Sequence, residues 1–235
     1  MKKKILISTG GSGGHVVPAL NLYNHLKNEF DVGLYTDVRG IKYIPKEIKK
    51  TIFEVKKIPE KKYLLPLKII LLFFAFIKSL IHFSGNKFDI VISTGGYMSL
   101  SIVLAAKIFN KKIFLFEPNS IIGKSNKFLL RFSNKIFCYD KNLQGLNKKY
   151  IDKIIELPPI FNKCFYKINN KNEKNKDIFR ILIIGGSQAS LFFSKNLKNE
   201  IIQIAKKYKV VVTQQLPHVF DIKSYKKDYD NNNIE

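Results

Sequence analysis

The sequence predicts an α/β protein built from two Rossmann-like domains, the second only partly present. Three observations carry that reading: short apolar runs of strand type alternate with helix-period segments, three glycine turns follow strands directly, and a polar stretch without periodicity at residues 167–177 precedes a fresh start of the same pattern. Alternation at this spacing gives βαβ units and a parallel sheet covered on both faces, in which ligands bind beyond the carboxyl ends of the strands. The expected division is a first domain over 1–166, a linker over 167–177 and the start of a second domain over 178–235.

The first strand is Ile5-Leu6-Ile7, and the turn Gly10-Gly11-Ser12-Gly13-Gly14-His15 joins it to the helical pattern of Val16 to Leu22. Glycines at adjacent positions allow φ > 0 and a close approach of backbone to a ligand. A helix that starts there adds free N–H groups and a positive dipole end, so the turn is a candidate phosphate site. His15 closes the turn and is the side chain whose chemistry suits proton transfer near neutrality.

Tyr63 to Phe83 is the most hydrophobic stretch, but its unbroken apolar core runs only from Ile69 to Ile77. A spanning helix needs about 20 apolar residues. Lys68 and Lys78, with Lys56, Lys57, Lys61 and Lys62 upstream, suit a helix lying in the headgroup plane, with Ile70, Phe73, Phe74 and Phe76 expected to touch lipid. A core helix of the α/β domain is the competing reading, and both hold if one face packs on the sheet.

Phe88 to Ser93 reads as a buried parallel strand, Thr94-Gly95-Gly96-Tyr97-Met98-Ser99 as a second glycine turn, and Ser101 to Phe109 as the helix after it. Lys111 to Phe116 is the next strand, ending in Glu117-Pro118-Asn119-Ser120. Beyond the linker come a strand from Phe179 to Ile184, the turn Gly185-Gly186-Ser187-Gln188, a helix from about Ser190 to Lys207, a strand from Val210 to Thr213 and a polar end from Asp228 to Glu235.

Forty-one basic against 18 acidic residues give a formal charge of +23, which attracts polyanions: nucleic acid, anionic lipid headgroups or diphosphate substrates. The richness in Lys, Ile, Asn and Phe also matches an AT-biased genome, so charge alone selects no partner. No aromatic-basic recognition motif is visible, which argues against nucleic acid. Cys138 and Cys164 lie far apart without metal-ligand spacing and are read as buried thiols in a reducing compartment, and no metal site is expected. The apolar run after Met1-Lys2-Lys3-Lys4 is too short for a signal-peptide core, so a cytoplasmic location is expected. A nicotinamide-dependent oxidoreductase is disfavoured: Gly10 to Gly14 does not fit GxGxxG cleanly, and the second strand offers only Asp37 for a ribose.

The ordered set GGSGGHVVPAL, STGGYMS and IIGGSQAS, together with the stretch from Phe116 to Lys127, resembles the MurG family of membrane-associated glycosyltransferases, glycosyltransferase family 28. The resemblance implies a GT-B fold and transfer of N-acetylglucosamine from UDP-N-acetylglucosamine to undecaprenyl-pyrophosphoryl-MurNAc-pentapeptide in peptidoglycan synthesis. It implies a lipid-linked acceptor and an anionic membrane surface as partners, a peripheral place on the cytoplasmic face of the inner membrane, and no cofactor beyond the donor substrate. Residue by residue, it assigns Ser12, Gly13, Gly14, Asn119 and Ser187 to donor binding and Gly95, Gly96 and Tyr97 to the acceptor's pyrophosphate. His15 becomes the candidate for orienting or deprotonating the acceptor hydroxyl.

The chain departs from the family pattern in three places. Phe116-Glu117-Pro118-Asn119 stands for a His-Glu-Gln-Asn stretch, Phe161 for a nucleotide-contacting arginine, and the third turn reads Gly-Gly-Ser-Gln-Ala. The competing expectation is a non-catalytic, membrane-anchored acceptor half that works with a separate donor-domain chain.

Overall fold

The computed structural model describes residues 2–53, 65–167, 177–185, 187–217 and 219–235, with 65–68, 167 and 187–189 described by their backbone alone. Lys56, Lys57, Lys61, Lys62, Gly186, His218 and nearly all of the expected linker lie outside the described residues. The chain divides into two compact units, Met1–Ile168 and Asn169–Glu235.

In the first unit, β1 (Lys4–Ser8), α1 (Gly13–Leu26), β2 (Asp31–Thr36), β3 (Lys50–Ile52), α2 (Leu65–Gly85), β4 (Ile90–Ser93), α3 (Tyr97–Ile108), β5 (Lys112–Glu117), α4 (Lys124–Leu129), β6 (Lys135–Cys138) and β7 (Ile154–Glu156) follow in order. The strands form one parallel sheet in the order β3-β2-β1-β4-β5-β6-β7. Ile7 lies beside Leu34 on one side and Ile92 on the other. The order reverses between β1 and β4, so the turns after these two strands open on the crevice where such sheets bind ligands.

Successive side chains on a strand point to opposite faces. Ile5 and Ile7 therefore join Val16, Leu20, Ile92 and Phe116 in one core, while Leu6 joins Val91, Met98, Ile102, Phe83 and Ile113 in the other. Both faces of the sheet are buried, which is why β1 and β4 read as unbroken apolar runs rather than alternating ones. Leu6, Ile7, Val91 and Ile113 are fully buried, and burying a side chain of this size contributes about 1.5–3 kcal/mol.

α2 is apolar nearly all round, yet it has two distinct faces. Ala75, Ser79 and Phe83 are buried, and Phe76 and Leu80 pack half-buried on the core. Ile69, Ile70, Phe73, Phe74, Ile77 and Ile81 form an exposed stripe, with Phe73 at 57% and Phe74 at 66% exposure. Ile70, Phe73 and Phe74 thus lie on the outer face. Phe76 does not: three residues after Phe73, it turns with Leu72 and Leu80 toward α3, because a helical repeat of 3.6 carries it off the outer stripe. Among the described residues no helix is long and apolar enough to cross a membrane.

The inner end of α2 is fixed by His82. Its Nε2 is hydrogen-bonded to the Tyr35 hydroxyl and lies 3.2 Å from Asn86 Nδ2. Burial holds the Tyr35 hydroxyl up at a pKa of about 12, so it donates. Two donors aimed at one ring nitrogen call for a neutral imidazole. Burial first, and Lys78 second, push the His82 pKa down.

The second glycine turn is tighter than its sequence suggests. α3 starts at Tyr97, four residues before the expected Ser101, because Gly95 (φ 97°) and Gly96 (φ 90°) complete the reversal by themselves. A Cβ at Gly96 would stand 2.9 Å from the carbonyl oxygen of Gly10, so the two turns touch backbone to backbone.

In the second unit, β8 (Ile178–Ile183), α5 (Ser187–Asn196), α6 (Lys198–Ala205), β9 (Lys209–Gln214) and α7 (Ile222–Asp230) follow, with β8 and β9 parallel. The helix expected from Ser190 to Lys207 is two helices that break at Leu197, next to Asn196, a weak helix former whose Nδ2 donates back to the Phe192 carbonyl at 2.7 Å. The end expected to be merely polar contains α7, whose Tyr225 and Tyr229, one turn apart, are buried with Ile234 in this unit's core. Ile234 pairs in parallel with Val210. Cys164 is exposed rather than buried: it lies in a short turn, Lys163–Lys167, away from the sheet that buries Cys138.

His82 sets one pH dependence. Its pKa is lower folded than unfolded, so its stabilising contribution is complete above the ordinary histidine value of about 6.5 and is lost as pH falls through that value toward the lower folded one. The thermal midpoint should drop between neutral and mildly acidic pH, and the drop should be smaller in His82→Phe. A second expectation concerns the turn contact: Gly96→Ala at φ 90°, against the Gly10 carbonyl, should cost about 1–3 kcal/mol in urea denaturation.

Candidate active site

Two of the three glycine turns meet at the carboxyl ends of β1 and β4. Thr94 Oγ1 donates to Thr9 Oγ1 at 2.8 Å, Ser99 Oγ donates to the Gly95 carbonyl at 2.7 Å, and Ser8 and Ser99 hydroxyls lie 3.3 Å apart. Ser8, Thr9, Thr94 and Ser99 are all fully buried. Short hydroxyl side chains at the strand ends thus staple the turns without filling the crevice above them.

His15 bridges the same two turns. Its Nδ1 lies 2.7 Å from the Thr94 carbonyl oxygen, which can only accept, so Nδ1 carries a proton, and in the neutral ring the lone pair is then on Nε2. Nε2 has no protein partner among the described residues. A Cβ on Gly95 would stand 3.1 Å from His15 Cε1, so glycine there is what lets the imidazole lie over the second turn. The half-buried ring is therefore oriented, held in one tautomer and left with an open acceptor.

The amides around it divide into committed and open groups. Gly11 N–H donates to Asp37 Oδ1 at 2.9 Å, as does Gly40 N–H. A buried carboxylate from the end of β2 thus takes the Gly11 amide, which lies outside the expected set of Ser12, Gly13 and Gly14. Asp37 is the residue weighed for a ribose, and this internal role accounts for it. Arg39 binds the other oxygen through Nε at 3.0 Å and Nη2 at 2.7 Å, and its partly exposed guanidinium rests 3.6 Å from where a Gly11 Cβ would be. Ser12 caps α1 with extended backbone and makes no side-chain cap bond. The Gly13 and Gly14 amides, in the first turn of α1, meet no acceptor among the described residues. The same holds for the Tyr97 and Met98 amides of α3, with Gly96 as its cap. Two helix N-termini thus point at one crevice with hydrogen-bonding capacity unspent.

Asn119 is exposed at the end of β5, with Nδ2 donating to Glu117 Oε1 at 2.8 Å. Glu117, fully buried, also accepts from Gly123 N–H at 2.8 Å and Asn126 Nδ2 at 3.0 Å. Asn126 is buried beside the second turn, its Nδ2 3.6 Å from where a Gly95 Cβ would be, and its Oδ1 has no partner among the described residues. Glu117, Asn126, Thr94 and Arg39 had no role in the sequence reading. The available signal was a carboxylate directly after an apolar strand, two residues before Asn119 and nine before Asn126.

Ser187 begins α5, after β8 of the second unit, where Gly185 N–H donates to Gln215 Oε1 at 3.2 Å. Tyr97 is exposed at the start of α3. Phe161, where the family resemblance places an arginine, is exposed near Tyr166, and its carbonyl lies 3.0 Å from His25 Nε2. Burial pushes the Cys138 thiol pKa up, the opposite of what a nucleophile needs. Among the described residues no group of three His, Cys, Asp or Glu side chains is placed to hold a metal ion.

The Glycosyltransferase family 28 N-terminal domain matches residues 5–138, the segment that contains both joined turns, His15 and Glu117. A curated protein of Pelagibacter ubique, named UDP-N-acetylglucosamine–N-acetylmuramyl-(pentapeptide) pyrophosphoryl-undecaprenol N-acetylglucosamine transferase, is 46% identical over 100% of this chain and 66% of its own length. The protein of the same name from Rickettsia canadensis is 31% identical over 91% of this chain and 61% of its own. This chain therefore spans roughly two thirds of the length of the curated relatives it matches. Among solved structures, Acinetobacter baumannii MurG superposes with a TM-score of 0.71 at 19% identity, covering 99% of this chain and 64% of that one, and shares the α/β, Rossmann-like fold. With the family domain matched over more than half its residues, the chain belongs to glycosyltransferase family 28.

Proposed function

We propose that this chain carries the acceptor-binding and catalytic-base part of an inverting N-acetylglucosaminyltransferase. The enzyme moves N-acetylglucosamine from UDP-N-acetylglucosamine to undecaprenyl-pyrophosphoryl-MurNAc-pentapeptide. The observation that carries the reading is His15, which holds a proton on Nδ1 against the Thr94 carbonyl, leaves Nε2 unpartnered among the described residues and joins the two turns from which α1 and α3 start. The family membership and the printed names of the curated relatives support the same substrates.

In this reading Nε2 accepts the proton of the acceptor hydroxyl as its oxygen attacks the anomeric carbon of the donor sugar. The bond from that carbon to the diphosphate oxygen breaks on the opposite side, and UDP leaves with the bonding pair. The α3 N-terminus at Gly95, Gly96 and Tyr97 receives the acceptor's pyrophosphate, whose charge the helix dipole and the open Tyr97 and Met98 amides favour, the Gly95 amide being given to Ser93 Oγ at 3.2 Å. The Gly13 and Gly14 amides and the Ser12 hydroxyl serve the donor's phosphate side; Ser187, in the second unit, is given to the donor by the family resemblance alone. Asn119 contacts the donor through its amide oxygen, since Glu117 engages its nitrogen.

The acceptor's tail stays in a bilayer, which gives the exposed stripe of α2 a purpose. Ile70, Phe73 and Phe74 dip below the headgroups of the cytoplasmic leaflet while lysines of this strongly basic chain meet anionic lipid.

Transfer of labelled N-acetylglucosamine onto the lipid-linked acceptor tests the reading. His15→Ala should lower turnover about 10²–10⁴-fold while acceptor binding holds; wild-type turnover with undiminished acceptor binding would refute the base assignment. Flotation with anionic liposomes tests the membrane arm. Replacing Phe73 and Phe74 together by Ser should shift most of the protein out of the floating fraction, and unchanged binding would remove α2 from the interface.

A further inference from the structure

A groove of about 380 Å³ runs between α2, α3 and α4, lined by Leu72, Phe76, Leu100, Leu104 and Phe128, with Tyr97 and Lys124 on its rim. We propose that this groove takes the first isoprene units of the acceptor's lipid chain, so that the enzyme reads the tail as well as the diphosphate next to it. The inference rests on the acceptor reading above and adds a subsite to it.

Three observations select the occupant. Tyr97 is the first residue of α3 and follows Gly95 and Gly96 directly, so a diphosphate seated at that helix start has the groove as its apolar neighbour. Phe76 and Leu72 lie on the same helix as the exposed stripe of Ile69, Phe73 and Ile77, which places the groove beside the surface proposed to rest on lipid. Of the two serines in the lining, buried Ser101 donates its hydroxyl to the Met98 carbonyl at 2.9 Å and Ser125 is half-buried, and among the described residues no carboxylate lines the walls. Lys124, exposed at the start of α4, is the one charged lining residue among the described residues and has the sign that complements a diphosphate. A diphosphate head joined to a hydrocarbon tail satisfies both ends at once. The groove is too small for a helical peptide, whose diameter with side chains is about 10–12 Å.

Binding in solution without bilayer or donor tests the subsite, with prenyl diphosphates of increasing length as probes. Geranylgeranyl diphosphate should bind at least tenfold tighter than dimethylallyl diphosphate, and Leu104→Trp, which fills the groove, should abolish most of that advantage. Phe128→Ala, at a more exposed position on α4, should reduce the advantage several-fold and guards against a folding defect in the first variant. Lys124→Glu should weaken both probes alike. Affinity independent of chain length, or a length preference untouched in both Leu104→Trp and Phe128→Ala, overturns the proposal. Affinity independent of chain length alongside sugar transfer that depends on His15 sinks the groove alone; length-dependent binding alongside sugar transfer that His15→Ala leaves unchanged sinks the base assignment and leaves the groove standing.

Discussion

The first unit depends on one close approach: the carbonyl of Gly10 against the backbone of Gly96, at the point where the strand order reverses. With no Cβ on Gly95 or Gly96, the turns after β1 and β4 settle against each other, and each releases its helix at once. That brings the N-termini of α1 and α3 to one crevice. It also lets His15, on the first turn, reach the Thr94 carbonyl of the second. Any side chain at Gly96 would force the turns apart, and the tautomer of His15 would lose its determinant. Hydroxyls of Ser8, Thr9, Thr94 and Ser99 complete the joint from below, in a space too small for larger polar groups.

Two buried carboxylates flank this joint and shape its electrostatics. Asp37 and Glu117, at the ends of β2 and β5, accept loop amides and the side chains of Arg39, Asn119 and Asn126. A buried carboxylate is tolerated only when hydrogen-bonded this fully. Their effect is selective: the flanking loops are neutralised by the protein's own anions, while the two central helix starts keep their amides for a ligand. Asp37 consequently takes Gly11 N–H out of the set available to a phosphate, and holds Arg39 at the edge of the same turn.

α2 shows how one composition serves two surroundings. Its inner face is locked by Ala75, Phe83 and the bond between His82 and Tyr35, and its outer face presents Ile70, Phe73 and Phe74 to solvent. A helix apolar on all sides is ordinarily buried on all sides. Here the sheet and α3 cover only one side, which leaves an apolar stripe with an apolar groove beside it.

The sequence by itself determined the alternation of strands and helices, the places of the first two glycine turns and the position of His15 at the close of the first. Those properties are local: an apolar run buried on both faces, a glycine pair and a short-range periodicity leave their mark within a few residues. Tertiary structure decided what depends on distant partners. That the first two turns share one crevice follows from β1 and β4 being neighbours across 85 residues, as between Thr9 and Thr94. That Glu117 holds Asn119 and Asn126, that Asp37 claims Gly11, and that Phe76 faces inward while Phe73 faces out all follow from packing, which no local pattern encodes. The polar end holds α7, whose buried face is only Tyr225 and Tyr229 among charged neighbours, a pair that packing with Val210 and Ile234 turns into core.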